Sequence, residues 1–236
     1  MKFNKYLGLV FISLIIIITV VFSHWRNNQR DLSAVEVVFS NNHHDFLNVD
    51  MVNKLLIQNQ ELLSIGIKDT LALSSIEAEL QAYPIILNAE VYISLSRVLT
   101  VSVEERIPLL RIVGDEAYYL DAEAVKIPLT DYFTSHVPLF FGSPDENQIK
   151  ALVGFIQKTN QDDFLKREII QIEENNGEYL FKIRSHDFIV EWGNHGSFEE
   201  KNQKLKILCK YLEALNVIPE FKRINLKYKQ QVIASS

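Results

Sequence analysis

Polar positions all but vanish near the start of the chain. Leu7 to Phe22, LGLVFISLIIIITVVF, is sixteen residues without a charge, and Tyr6 and Ser23 extend it to eighteen. At about 1.5 Å per residue, that length just crosses about 30 Å of hydrocarbon as a helix. Tyr6 and Trp25 flank the run, where amphipathic rings favour the headgroup layer. Val21 and Ser23 make a poor small-x-small cleavage site, so the run reads as a retained anchor rather than a signal peptide. A short polar tether, HWRNNQRD, follows, and then the texture becomes periodic. AVEVVF (Ala34 to Phe39) is β-branched and strand-like. Asn48 can cap a helix carrying Val52, Leu55 and Leu56 on one face. Ser74 and Glu77 stand at capping-box spacing before a helix that Pro84 ends. Ala89, Val91, Ile93 and Leu95 then alternate with polar residues, as do Leu99, Val101 and Val103, which predicts a hairpin with one buried and one wet face. The order strand, helix, helix, strand, strand predicts a small antiparallel sheet with two helices on one side.

From Pro108 onward short strands dominate: LLRIV, AYYLD, AVKIP and VPLFF, then EIIQIEE, EYLFKIR and DFIVEW. Two helices interrupt them. One is expected to open with Ser143 and Glu146, with Pro144 at its first position, and to bury Ile149, Leu152, Val153 and Ile156 at spacing i, i+3, i+4, i+7. The other is expected to open with Ser197 and Glu200 and to bury Leu205, Leu208, Leu212 and Leu215. The closing strand, FKRINLKY, sets Lys222, Ile224, Leu226 and Tyr228 against Phe221, Arg223, Asn225 and Lys227. That alternation reads as an exposed sheet edge, with lysines discouraging indiscriminate pairing. The fold class is therefore α+β. One N-terminal membrane helix precedes a β-α-α-β-β domain and a second α+β domain whose sheet is mostly antiparallel. The expected segments are a cytoplasmic stub 1–6, a membrane helix 7–23, domains 32–107 and 108–228, and a flexible tail 229–236.

Composition narrows the function classes. The net charge of −6 and the absence of a Lys/Arg stripe argue against a nucleic-acid binder. The single cysteine, Cys209, cannot form an internal disulfide. Basic residues on either side of the anchor nearly balance. The large polar domain after it favours an N-in orientation, with the bulk outside the cytoplasm.

No catalytic signature occurs: G-x-S-x-G, H-E-x-x-H, C-x-x-C, the Walker loop and G-x-G-x-x-G are all missing. Ser143 and Ser197 read as helix caps. His43, His44 and Asp45 read as a solvated turn rather than metal ligands, since adjacent residues rarely converge on one ion. Asp187, Glu191 and His195 fit a polar sheet face better than an acid/base pair. Cys209 reads as a small buried hydrophobe, and Glu104, Glu105 and Arg106 as a wet strand end or an interdomain contact. No catalytic residue, metal site or cofactor is expected. What remains is main chain: a selected partner strand could add to the closing strand by β-augmentation.

Several stretches together resemble the FtsQ/DivIB bacterial cell-division family. LQAYPIILNAEVY and LTVSVEERIP resemble its helix-Pro-strand and its E-R-x-P junction. AYYLDAEAVKIPL resembles its Tyr-x-x-Asp segment, VPLFFG the next strand, and INLKY its closing I-D-L-R-Y strand. The likeness runs from about Lys2 to Tyr228. The family often has glycine in the first-domain hairpin turn and after Tyr-x-x-Asp; here Ser96-Arg97 and Ala124 stand instead. The resemblance implies a POTRA domain followed by an FtsQ-type β domain in a non-enzymatic divisome scaffold. Such a scaffold is single-pass in the bacterial cytoplasmic membrane, with its bulk in the periplasm at the division septum. It implies FtsB- and FtsL-type partners, a hand in controlling septal peptidoglycan synthesis, and recruitment of other divisome proteins through the POTRA domain. It places the partner-binding residues at Ile224, Asn225, Leu226, Lys227 and Tyr228. The alternatives are another membrane-anchored POTRA-type assembly factor, a chaperone-like sensor, or an anchored hydrolase.

Overall fold

The structure is a computed structural model that describes residues 5–28, 34–40, 46–58, 70–130, 133–215 and 218–235. Its chain forms two compact units. One gathers residues 1–40, 49–80 and 89–103, and the other residues 41–48, 81–88 and 104–236.

In the first unit, helix α1 (Lys5–Asn28) contains the uncharged run. Gly8 to Trp25 is long and apolar enough to cross a membrane, and every side chain of that span is exposed. Ser13 and Thr19 donate their hydroxyls to the carbonyls of Val10 and Ile15, which satisfies two polar groups on an otherwise apolar helix surface. Strand β1 (Ala34–Phe39) precedes helix α2 (Val49–Gln58), which starts directly after Asn48, and helix α3 (Thr70–Gln81). Strands β2 (Ile86–Ile93) and β3 (Val98–Glu105) form the expected hairpin, and the sheet order is β1-β3-β2. Val52, Leu56, Ile76, Leu80, Ala89, Val91, Leu99, Val101 and Val103 are buried.

Two expectations change here. β1 lies parallel to β3, from Ala34 against Val98 to Phe39 against Val103, so the sheet is mixed rather than antiparallel. Among the described residues two helices and β2 separate the two strands, and a crossover of that length permits parallel pairing. Helix α3 begins at Thr70, so Ser74 lies inside it and caps nothing. Glu77 instead accepts the Val91 amide at 2.7 Å.

The second unit is built on a nine-stranded sheet ordered β12-β11-β10-β9-β8-β7-β4-β5-β6. These strands are β4 (Leu110–Val113), β5 (Ala117–Leu120), β6 (Lys126–Pro128), β7 (Leu139–Phe141), β8 (Ile169–Asn175), β9 (Glu178–Ile183), β10 (Ile189–Glu191), β11 (Arg223–Asn225) and β12 (Ile233–Ser235). Most pairings are antiparallel; β4–β7, β7–β8 and β10–β11 are parallel. Helices α4 (Glu146–Thr159), α5 (Asp163–Glu168) and α6 (Phe198–Leu215) contribute their apolar stripes to one continuous core with the strands. The stripe Ile149, Leu152, Val153 and Ile156 is buried, as are Leu205 and Leu212, while Leu208 is half-buried. Leu215 is exposed, contrary to its place in the expected stripe, because the core ends a turn earlier.

Capping is also relocated. Asp145, not Ser143, caps α4, and with Gln148 it forms the reciprocal capping box. Pro144 therefore precedes the cap rather than standing at the first helical position. Ser143 instead bonds Asp115. Ser197 does cap α6, through the Glu200 amide at 3.3 Å.

A smaller cluster joins Phe46, Tyr119 and Ile127 with Ile85, Phe133 and Val137. It is pinned by Glu105, which is buried and accepts the amides of Phe46 and Leu47 at 3.2 and 2.7 Å. The neighbouring Arg106 reaches Asp121 at 2.5 Å and Glu123 at 2.7 Å. Where a wet strand end or an interdomain contact was expected, Glu105 and Asp121 are buried, Arg106 is partly buried and only Glu123 of this polar clamp is exposed. The clamp ties the E-R-x-P stretch to the aspartate of the Tyr-x-x-Asp segment.

Candidate partner-binding edge

The sequence places the candidate surface on residues 224–228, and the structure distributes those residues unequally. Ile224 (0 % exposed) and Leu226 (1 %) point into the core beneath α6. Asn225 donates to Glu191 at 2.8 Å and accepts the Lys227 amide at 2.9 Å. The stem of Lys227 lies over Gly193, where a Cβ would come within 2.5 Å of the Lys227 Cγ, and Gly193 itself has φ +65°. The Lys227 ammonium pairs with Glu178 and lies 4.0 Å from Glu191. The hydrogen bond to Glu178, reinforced by the charges of Glu178 and Glu191, raises its pKa against a smaller opposing effect of burial. Tyr228 (53 %) is the exposed member.

The strand is also not an edge. β11 covers only Arg223–Asn225 and is flanked on both sides. It runs parallel to β10, with Ile224 against Val190, and antiparallel to β12, with Ile224 against Ala234. The free-rim reading of residues 221–228 is therefore corrected. Period-two alternation reports which faces of a strand are wet; it is silent on which flanks are paired. Residues 229–236, expected as a tail, contain the strand that takes the outermost place.

β12 is thus the edge. It is short, all three of its residues are exposed, and it bears neither lysine nor proline, the usual guards of a free edge. Val232 and Ile233 expose apolar surface beside it. The link between β11 and β12 is held against α6. Lys204 Nζ donates to the Tyr228 carbonyl at 2.7 Å and to Glu200 at 2.9 Å, and Glu200 accepts the Gln230 amide at 3.1 Å. Nearby, the buried Lys201 donates to the Gly193 carbonyl at 2.9 Å and lies over the Trp192 ring. Burial lowers its pKa, against the pull of Glu178 and Glu200. No sequence pattern announced Lys201, since a lysine in a helix reads as solvated until packing is known.

The remaining sequence candidates fall elsewhere. Glu191 spends its carboxylate on Arg223 and Asn225, and Asp187 and His195 are exposed. Cys209 is buried in the core, and desolvation, with Glu168 and Glu213 near it, pushes its thiol up to about 12. Among the described residues no group of three or more His, Cys, Asp or Glu could hold a metal. His43, His44 and Asp45 lie outside the described residues.

Among curated proteins, none matches the chain. A family model described as FtsQ/DivIB, C-terminal related, matches residues 107–235, which is more than half of the chain and takes in the whole run from β4 to β12. The family is one of division scaffolds, generally non-enzymatic, whose members work through protein–protein contacts in the divisome. The agreement between that match and an α+β chain with an N-terminal apolar helix and a sheet-rich C-terminal region settles the assignment: the chain belongs to the FtsQ/DivIB C-terminal related family.

Proposed function

We propose that this protein is a membrane-anchored scaffold of bacterial cell division that captures a partner strand on β12. In this reading α1 is a single-pass anchor in the cytoplasmic membrane with its N-terminus inside. The rest of the chain stands in the periplasm at the septum, the unit holding β1 to β3 is the POTRA domain that recruits other divisome proteins, and the match from residue 107 is the β domain. Partners of the FtsB and FtsL type engage the C-terminal end of the sheet, and through them the protein helps control septal peptidoglycan synthesis.

The observation that carries the reading is the unguarded edge of β12, whose outer flank is unpaired among the described residues, with Val232 and Ile233 exposed. Main-chain hydrogen bonds along such a rim supply affinity, and pockets for alternate side chains supply choice. Residues 224–228 serve it in different ways. Ile224 and Leu226 hold β11 in register from the core, and Asn225 and Lys227 brace its polar face. Tyr228 presents an amphipathic ring at the rim, a good anchor type. Leu226 is too buried to probe binding cleanly. The test is co-purification of the FtsB-type protein of the same organism with Tyr228→Ala, Ile233→Glu and Ala234→Pro variants. The expected result is loss of the complex from all three with folding intact; recovery equal to that of the unsubstituted protein defeats the proposal.

A further inference from the structure

Each sheet ends in two strands, and their rims differ. β6 carries Lys126 and Pro128, which discourage pairing. On β2 the Val91 amide is taken by the Glu77 carboxylate of α3, so that rim is partly covered. β12 is the edge of the proposed partner strand. β1 is left. Its sequence, AVEVVF, holds neither lysine nor proline, its one charge is Glu36, and Val35 and Val38 are 48 % and 41 % exposed. Among the described residues no strand lies on its outer side. Ser40, just beyond the strand, donates its amide to the Val103 carbonyl of β3. Main-chain groups alternate in direction along a strand, so Glu36 and Val38 turn theirs to β3 as Ser40 does, while those of Val35 and Val37 face outwards.

We infer that the β1 rim pairs with β1 of a second copy of this chain, antiparallel about a two-fold axis at Val37. α1 ends at Asn28 and β1 begins at Ala34. At no more than about 3.6 Å per residue, residues 29–33 keep the start of β1 within about 20 Å of the end of α1. The inference rests on the reading of α1 as an anchor and goes beyond it by giving β1 an occupant. Anchoring holds the β1 of every copy close to one membrane, where copies meet at a raised effective concentration. A two-fold contact needs a self-complementary patch, and the register at Val37 supplies one. It sets Val37 against its own counterpart and Glu36 against Val38 of the second copy. The two carboxylates thereby avoid the head-on repulsion that Glu36 against Glu36 would bring. A strand of this length is about 20 Å of rim, too little surface for a stable dimer in dilute solution. The pair therefore depends on the membrane.

The test uses the full-length chain in vesicles of phosphatidylethanolamine and phosphatidylglycerol, with Glu36→Cys and Val38→Cys copies under different affinity tags. Native Cys209 is buried and does not compete. In this register positions 36 and 38 of opposite copies stand about 4.5 Å apart between Cα atoms, inside the range of about 4.4–6.8 Å that a disulfide takes. Position 36 lies about 7–8 Å from position 36 of the other copy, and 38 from 38 likewise, which is too far. Mild oxidation is expected to give the mixed disulfide and little of either like pair. Val37→Pro removes an outward amide, a change an edge strand tolerates, and is expected to abolish the mixed disulfide. Equal yields of mixed and like pairs overturn the inference, and so does a mixed disulfide that survives Val37→Pro. No disulfide from copies that float with the vesicles also overturns it and leaves the anchor reading standing. Copies that fail to float remove the anchor reading, and this inference with it. In cells, a photo-crosslinker at position 35 that captures a second copy supports the inference; capture of a different protein alone overturns it.

Discussion

The Asp121 carboxylate holds a turn and an arginine together. It is nearly sealed from solvent, at 3 % exposure for the residue. One oxygen accepts the amides of Glu123 and Val125 at 2.9 and 2.7 Å, closing the turn between β5 and β6. The other takes Arg106 at 2.5 Å. Asp121→Ala strips all three. Each orphaned amide costs about 1 kcal/mol where water can partly replace the acceptor. Unpairing a buried charge would cost about 3–5 kcal/mol. Arg106 keeps Glu123 at 2.7 Å, so that part falls to about 1–2 kcal/mol. The expected loss is therefore about 3–4 kcal/mol. Asp121→Asn retains the turn acceptor but sets an amide against the guanidinium, for about 2 kcal/mol. The assay is urea unfolding of the detergent-solubilised chain in a Trp25→Phe background. That leaves the buried Trp192 as the sole reporter of the two tryptophans. With a slope of about 2 kcal/mol/M, the alanine variant should move the midpoint down by about 1.5–2 M. A shift under about 0.5 M, or an asparagine variant as unstable as the alanine one, would refute the reasoning that this carboxylate organises the turn.

Further expectations concern strain, charge and reactivity. Arg97 and Ala124, both at φ 64°, hold left-handed conformations without glycine. Arg97→Gly relieves about 1–2 kcal/mol of steric cost against about 0.4–1 kcal/mol of added unfolded-state freedom, so thermal unfolding should shift upward; a lower midpoint contradicts this. Gly193→Ala meets both the strained φ of +65° and the Lys227 stem, and should destabilise β10 and β11 in hydrogen exchange, with unchanged protection as the opposing result. Burial works to raise the Asp162 pKa, but hydrogen bonds from Lys206, Leu165 and Asn202 and the charge of Lys206 outweigh it and hold the group down to about 2. A depressed carboxylate stabilises the fold above its ordinary range near 3.8, and that stability is lost as pH falls from about 4 towards about 2. Relative to the unsubstituted protein, Asp162→Asn should be about 1–2 kcal/mol less stable at neutral pH and equal at pH near 2, after discounting for partial exposure; a gap independent of pH rejects the linkage. Cys209 should resist maleimide in the folded protein and label only on unfolding; rapid native labelling would place it outside the core.

How much was legible in the sequence can be argued residue by residue. The uncharged run before Phe22, the hairpin of β2 and β3 and the stripe from Ile149 to Ile156 were readable. Each is a local periodicity that burial on one face imposes on neighbouring residues. The motif stretches were readable as a resemblance, though not the reason for it: Arg106 and Asp121 stand fifteen positions apart in sequence and meet only in the fold. Helix starts were misplaced by a few residues at Ser74 and Ser143, because several Ser, Asp and Glu side chains compete to cap and only packing selects one. The edge was missed altogether. Strand partners are chosen by distant segments, so alternation in FKRINLKY could reveal its wet face but not that three residues of a polar-looking terminus would pair outside it. By itself, then, the sequence determined the apolar N-terminal helix, the class of the fold and the buried face of each element, because those follow from where water is excluded along a continuous chain. The tertiary structure alone decided which strand ends the sheet, which carboxylates are sealed in and which face of the last helix stays bare, because those depend on pairings between segments that sequence distance does not encode.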